Sequence, residues 1–223
     1  MKTQAIIPTA GSGTRLKSKT IKSLIKINGK PLFVFCLEIF EKSAVESVIL
    51  VVPKAFLKEF ERHVKKYRLK KVKTIVPGGP TRSQSVKNGL AALDFDTKIV
   101  MVHDGVRPLV TVAMINRSIQ LCQRHKAVIV AVPVKPTIKS VNTKSLTVKK
   151  TLPREELWEV QTPQTFDKDL LKKAHAQSQK DSTDDALLVE RLGKKIKVLP
   201  GDYQNIKVTT KEDLEILKAF LRR

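Results

Sequence analysis

Residues 98–108 read Lys98-Ile99-Val100-Met101-Val102-His103-Asp104-Gly105-Val106-Arg107-Pro108. The apolar run from Ile99 to Val102 has no polar alternation, which is the pattern of a strand covered on both faces. It breaks off at His103-Asp104-Gly105, so Asp104 stands at the strand's carboxyl end, where open α/β sheets bind their ligands. Working outward, similar runs occur at AIIPT near residue 5, SVILVV (47–52), KTIV (73–76) and AVIVAVPV (127–134). Between them lie the helical patterns PLFVFCLEIFEKS, AFLKEFERHVKKY, SQSVKNGLAAL and TVAMINRSIQLCQRH. Strand alternating with helix predicts an α/β fold: a mostly parallel, twisted sheet with helices on both faces and right-handed crossovers.

The rhythm changes after Val134. Residues 135–160 alternate short β-like pieces (TIKSV, SLTVKKTL, LWEVQ) with charged ones and show no helical pattern. This stretch reads as a β-arm leaving the main sheet. Helices are then expected near 167–179 and 184–192, a strand at KIKVL, and a last helix from Glu212 with an apolar stripe at Leu214, Leu217 and Leu221. There is no internal repeat or compositional break, so residues 1–223 read as one domain with a protruding arm at about 135–160.

The chain carries 43 Lys and Arg against 21 Asp and Glu, a net charge of +22. Such a balance raises a nucleic-acid partner. The lysines are scattered in small groups, however, and aromatics make up only 5% of the chain, so no stacking platform is visible. The charge reads instead as a solvated surface that also steers a small polyanionic substrate. Cys36 and Cys122 lie in apolar helical patterns without metal or disulfide spacing and read as buried thiols. No apolar stretch approaches membrane-spanning length, and a cytoplasmic protein is expected.

Six segments stand out as chemistry-bearing. Pro8-Thr9-Ala10-Gly11-Ser12-Gly13-Thr14-Arg15 follows the first strand, and its two glycines let backbone amides approach an anion. The cations Arg15 and Lys22 beyond that turn suit a triphosphate. Gly78-Gly79-Pro80-Thr81-Arg82-Ser83-Gln84-Ser85-Val86-Lys87-Asn88-Gly89-Leu90 reads on its own equally well as a loop capping a helix, with Ser83 as N-cap. In the 98–108 segment Asp104 is a candidate Mg²⁺ ligand. His103 reads as structural, and Arg107 as either a substrate ligand or the ion-pair partner of a nearby acid. The fourth segment is Arg154 with Leu157–Phe166. The fifth, Thr183-Asp184-Asp185-Ala186, reads most simply as an acidic helix N-terminus. The sixth, Asn205-Ile206-Lys207-Val208-Thr209, ends an expected strand and offers Lys207 as a third phosphate cation.

Taken together, in this order and spacing, these segments resemble the 2-C-methyl-D-erythritol 4-phosphate cytidylyltransferases of the non-mevalonate isoprenoid pathway, over nearly the whole chain. The resemblance implies a Rossmann-like nucleotidyltransferase fold with a β-arm, CTP and a polyol phosphate as substrates, a divalent cation such as Mg²⁺, and a homodimer with no nucleic-acid or membrane partner. It implies that Thr9, Ala10, Gly11, Gly13, Gly79, Ser85 and Gly105 hold the nucleotide. It gives Arg15, Lys22 and Lys207 to the phosphates and Asp104 to the metal and acceptor. Asp104, Arg107, Thr137, Arg154 and Thr162 are implied around the acceptor, some of them from the partner subunit's arm. The chain departs from the family pattern at Ile21 and Ser23, at Pro80, at Pro136 and at Pro153. The alternatives are ribitol-5-phosphate cytidylyltransferase, on much the same framework, and a basic nucleic-acid-binding module, which leaves the six segments unexplained.

Overall fold

The computed structural model describes residues 1–10, 21–178 and 182–221. In chain order these form β1 (Thr3–Pro8), β2 (Lys26–Ile27), β3 (Lys30–Pro31), α1 (Leu32–Glu41), β4 (Ser47–Val52), α2 (Leu57–Lys66), β5 (Val72–Pro77) and α3 (Arg82–Ala91). There follow β6 (Ile99–Val102), α4 (Val112–His125), β7 (Ala127–Pro133), β8 (Lys139–Asn142), β9 (Thr147–Thr151), β10 (Trp158–Asp167), α5 (Lys168–Gln177), α6 (Ala186–Glu190), β11 (Lys197–Pro200) and α7 (Lys211–Leu221). The main sheet has seven strands in the order β11-β7-β10-β6-β1-β4-β5. Among them β10 alone runs against its neighbours.

Neighbouring residues of one strand feed opposite cores, as the pleat requires. On β1, Ala5 and Ile7 pack with Phe33 and Leu37 of α1 and Ile115 of α4. Ile6 faces the other way, toward Val86 and Leu90 of α3 and Leu171 of α5. Both faces are therefore covered, which is why β4 and β6 are buried along their whole length and read as unbroken apolar runs. Truncating one of these side chains, Leu50→Ala for example, removes a fully buried residue and costs about 2–5 kcal/mol. Cys36 and Cys122 are free and buried in the first of the two cores.

Helices α3, α4 and α5 start at side-chain caps. Thr111 accepts from Met114 N at 3.1 Å to begin α4, and Asp167 accepts from Leu170 N at 3.0 Å to begin α5. For α3 the cap is Thr81, accepting from Gln84 N at 3.1 Å, rather than the expected Ser83. Other expectations are also corrected. KTIV lies in β5, an edge strand whose Thr74, Ile75 and Val76 are only half-buried. The helix expected at 184–192 is confined to the five residues of α6, and residues 205–209 are an irregular segment beyond β11.

The largest difference is β10. The expected arm at 135–160 separates into two parts. β8 and β9 form a two-stranded hairpin outside the main sheet. From Trp158 onward the chain re-enters the sheet between β6 and β7, pairing Val160 with Ala131 and Gln164 with Val102. It returns directly from the arm, without a crossover helix, and so must run antiparallel. No helix among the described residues is long and apolar enough to cross a membrane.

Candidate active site

The carboxyl ends of β1, β5 and β6 converge on the start of α3. Beyond β1 the chain is pinned by Thr9, whose N and Oγ1 both donate to Val51 O at 2.8 Å. Gly78 N donates to Val52 O at 2.7 Å, and Gly105 N to Pro8 O at 3.3 Å. The approach is close enough to exclude side chains. A Cβ on Gly78 would stand 2.5 Å from Ala10 Cβ, and one on Gly105 would stand 2.6 Å from Thr9 Cγ2. Ser85 Oγ accepts from Gly79 N at 3.1 Å and donates to Thr81 O at 2.9 Å, tying the glycine loop to α3. Thr9, Ala10, Gly79, Ser85 and Gly105 thus form one wall. Gly11, Gly13 and Arg15 lie outside the described residues.

Lys22 opens a 3₁₀ turn, Lys22–Leu24, that is held against the same wall because buried Ser23 donates to Thr9 O at 3.4 Å. The departures at Ile21 and Ser23 are accommodated there: Ile21 packs on the first core, and Ser23 supplies the tether.

Asp104 is the electrostatic centre. Its carboxylate is buried and faces three cations: Lys207 Nζ 2.8 Å from Oδ2, Arg82 Nε 3.5 Å from Oδ1, and Arg107 Nε 3.8 Å from Oδ2. Burial alone would push its pKa up; Arg82, Lys207 and Arg107 override that and hold it well below the usual carboxylate range. Lys207 is placed by its flanks. Asn205 Nδ2 donates to Thr162 O at 2.9 Å, and Val208 N donates to Val106 O at 2.9 Å.

Arg107 is spent within the chain. Its Nη1 donates to Asn205 O at 2.7 Å and its Nη2 to Val160 O at 3.5 Å, so it joins three segments under the cleft. Of the two readings the sequence left open, the ion pair with a nearby acid is present. His103 is fully buried, with burial lowering its pKa to about 4. Its Nε2 faces Arg107 O at 3.2 Å, an acceptor only, so Nε2 carries the proton and Nδ1 accepts from Thr162 Oγ1 at 3.0 Å. Thr162 Oγ1 in turn accepts from Asp104 N at 3.1 Å.

A cleft of about 380 Å³ opens over this cluster. Arg82, Asp104, Arg107, Thr162 and Lys207 line it together with Gln164, Asp184 and Glu190. Thr137 and Arg154 do not line it. Both are exposed on the arm side, with Arg154 Nη1 donating to Lys135 O at 3.3 Å. The sequence assigns no role to Arg82 and reads Asp185 only as part of an acidic helix N-terminus, yet the buried Asp185 has its Oδ2 2.8 Å from Arg82 Nη1 and its Oδ1 2.9 Å from His175 Nε2. Among the described residues there is no group of three or more His, Cys, Asp or Glu able to hold a metal by itself. Asp104 is a single carboxylate already shared with cations. That donor set fits only an ion that brings most of its oxygen ligands with it, as Mg²⁺ does on a nucleotide.

A family model described as 2-C-methyl-D-erythritol 4-phosphate cytidylyltransferase matches residues 3–223. Two proteins of that name are similar throughout. The one from Alkaliphilus metalliredigens is 44% identical, over 100% of this chain and 94% of its own. The one from Geotalea uraniireducens is 39% identical, over 100% and 97%. Among solved structures, 4-diphosphocytidyl-2C-methyl-D-erythritol synthase from Anaerococcus prevotii superposes with a TM-score of 0.87 at 32% identity, covering 100% of this chain and 99% of that one. The cytidylyltransferase from Thermus thermophilus gives 0.80 at 28% identity, covering both chains fully.

Proposed function

The chain belongs to the 2-C-methyl-D-erythritol 4-phosphate cytidylyltransferase family, and from that premise we propose how its residues carry the reaction. The enzyme transfers CMP from CTP to 2-C-methyl-D-erythritol 4-phosphate and releases pyrophosphate. The observation that supports the assignment of roles is Lys207 Nζ, 2.8 Å from buried Asp104 and lining the cleft.

In this reading the wall of Thr9, Ala10, Gly79, Ser85 and Gly105 receives the cytidine, joined by Gly11 and Gly13. The triphosphate runs from there toward Lys22, Lys207 and Arg15. The acceptor enters by the cleft, with its phosphate oxygen in line with the α-phosphorus. A phosphate monoester dianion is already a nucleophile, so no covalent enzyme intermediate is required. The bond from acceptor oxygen to α-phosphorus forms as the bond to pyrophosphate breaks. Catalysis then rests on positioning and on Lys22 and Lys207 facing the charge that builds on the α-phosphate and leaving group. A bound Mg²⁺ would neutralise phosphate charge, with Asp104 as its one protein carboxylate. Thr162 lines the acceptor cleft with its hydroxyl held between His103 Nδ1 and Asp104 N, while Arg107 holds the floor.

The arm belongs to the same reading. The hairpin leaves Val141, Leu146 and Val148 exposed, and Trp158 and Val160 at its base are 40% and 39% exposed. A two-stranded hairpin is marginal alone and requires a partner surface. A second copy related by a two-fold axis supplies one, with Arg154 and Thr137 reaching the acceptor phosphate in the other subunit's site. Two buried, reduced cysteines suit a cytoplasmic enzyme. The deciding experiment is pyrophosphate release from CTP with 2-C-methyl-D-erythritol 4-phosphate and ribitol 5-phosphate in parallel, with and without EDTA. Release with the first acceptor alone, lost in EDTA and restored by Mg²⁺, is expected. Preference for ribitol 5-phosphate, or turnover that EDTA leaves untouched, would overturn the acceptor or the metal.

A further inference from the structure

Arg82 is the first residue of α3, at the junction of the nucleotide wall and the cleft. Its guanidinium lies between two buried carboxylates. Nη1 is 2.8 Å from Asp185 Oδ2, and Nε is 3.5 Å from Asp104 Oδ1. Asp185 is itself immobilised. His175 Nε2 lies 2.9 Å from its Oδ1, and its backbone N donates to Gln164 Oε1 at 3.2 Å. Because a carboxylate only accepts, His175 presents Nε2–H to it. His175 stands on α5 and Gln164 on β10, so the line of contacts runs from the helix layer through the sheet to Asp104. The Asp104 carboxylate is thereby divided: Oδ1 faces Arg82, and Oδ2 faces Lys207 at 2.8 Å.

We propose that Arg82, clamped by the buried Asp185–His175 pair, is a positioning residue that sets the rotation of the Asp104 carboxylate and through it the place of the Lys207 ammonium. The proposal rests on the roles given above to Asp104 and Lys207. A guanidinium suits the task because its donors form a rigid planar fork that can meet two carboxylates at fixed angles, which an ammonium cannot do. A buried ion network is a poor source of stability, since burial costs each charge its hydration and an apolar cluster of equal volume serves packing as well. Asp185 has 1% of its side chain exposed and His175 3%, on helices that already carry apolar contacts through Leu171, Leu188 and Val189. Burial raises the Asp185 pKa, and Arg82 and His175 outweigh it, leaving the group ionised and the clamp charged.

The test uses the full-length enzyme with CTP and 2-C-methyl-D-erythritol 4-phosphate, reading kcat and both KM values. Turnover by the unaltered enzyme comes first; its absence would reject the functional reading itself, a result distinct from failure of the clamp. Arg82→Gln and the isosteric Asp185→Asn should each lower kcat on the order of 10- to 100-fold, the range for a displaced catalytic group. Both KM values should stay within about twofold. Each loss should vanish in an Asp104→Asn background, because Arg82 acts only through Asp104. Arg82→Lys should not restore kcat, since the charge remains but the fork is gone. Having two variants of the clamp keeps the test open if one melts below the assay temperature. The idea is overturned by unchanged kcat in Asp185→Asn, by a KM increase that shows Arg82 binding a substrate directly, by losses that multiply with Asp104→Asn, or by full rescue with lysine.

Discussion

Replacing Asp104 with asparagine removes the anion that Lys207, Arg82 and Arg107 share, leaving Arg82 its second partner Asp185, and the structure indicates the size and pH dependence of the effect. The three cations are not equally buried: their side chains are 41%, 23% and 8% exposed. Only Arg107 is left truly desolvated, so the loss belongs at the low end of the range for breaking a buried pair, about 3 kcal/mol. In a chain of this length that lowers Tm by roughly 6–12 °C. The sign of the pH dependence follows from the depressed pKa of Asp104. A carboxylate whose folded pKa lies below its unfolded value contributes fully above the unfolded value, near pH 4, and loses that contribution as pH falls toward the folded one. The asparagine variant has no such group. Its stability should therefore sit a constant amount below the parent from about pH 5 to pH 8, and the two should converge below pH 4 with a slope approaching about 1.4 kcal/mol per pH unit. Urea unfolding of both proteins at each pH gives the difference directly, and the other carboxylates cancel because both proteins carry them. A difference that stays flat from pH 6 to pH 3 would show that Asp104 is not held ionised by its cations.

Lys22→Ala and Lys207→Ala should each lower kcat by roughly 10²-fold, as loss of one transition-state donor does; near-normal kcat in both, measured by pyrophosphate release, would remove them from the chemistry. Arg154→Ala should raise KM for the acceptor far more than for CTP. Mixing Arg154→Ala subunits with Lys22→Ala subunits should restore about one working site per heterodimer, and no rescue would place the arm in its own subunit's site. Gly105→Ala puts a Cβ 2.6 Å from Thr9 Cγ2 and should cost about 1–3 kcal/mol in a urea titration, with KM for CTP rising as the nucleotide wall shifts.

The parallel strands were legible because burial on both faces writes itself as an unbroken apolar run: Val48 to Val52 and Ile99 to Val102 need no alternation to be read. The same rule concealed β10. Its central residues Gln161, Thr162, Gln164 and Thr165 are polar and yet buried. They are admitted because each is paired. Gln164 Nε2 donates to Asp184 Oδ2 at 2.9 Å, Thr165 meets Ser118 at 2.8 Å, and Gln161 donates to Asp202 O at 2.8 Å. A hydropathy pattern records what a residue is, not whether a partner awaits it from another part of the chain. A strand built from satisfied amides and hydroxyls therefore leaves no apolar run to mark it. The irregular segment after β11 misled for a related reason. Ile206 and Val208 look like strand residues, but they pack with Ile27, Leu32 and Leu217 in a third small core rather than pairing with the sheet.

Asp184 and Asp185 show the same limit within the cleft. As sequence, two acids before a helical run are a helix N-terminus, and that reading is half of what the structure contains. Asp184 does the capping, its Oδ1 accepting from Leu187 N at 3.1 Å while Oδ2 accepts from Gln164. With α6 already capped by its neighbour, Asp185 makes no side-chain cap bond and turns inward instead, between Arg82 and His175. Either aspartate could serve as cap by residue type, and the choice is made by what lies behind them. Only one of the two positions looks across to a guanidinium on α3 and an imidazole on α5, and those elements meet only in the folded chain. The acid that serves the helix and the acid that serves the site therefore carry the same sequence signal. They are told apart by burial: Asp184 reaches the cleft surface, whereas Asp185 is 1% exposed and would be an uncompensated buried charge without Arg82. That dependence makes Asp185→Asn the informative substitution and Asp184→Asn its contrast. The second keeps the cap, because asparagine serves at a helix start as well as aspartate does, and should leave both stability and kcat near those of the parent. Equal losses of kcat in both would mean that the pair acts as one acidic patch lining the cleft rather than as a cap and a clamp.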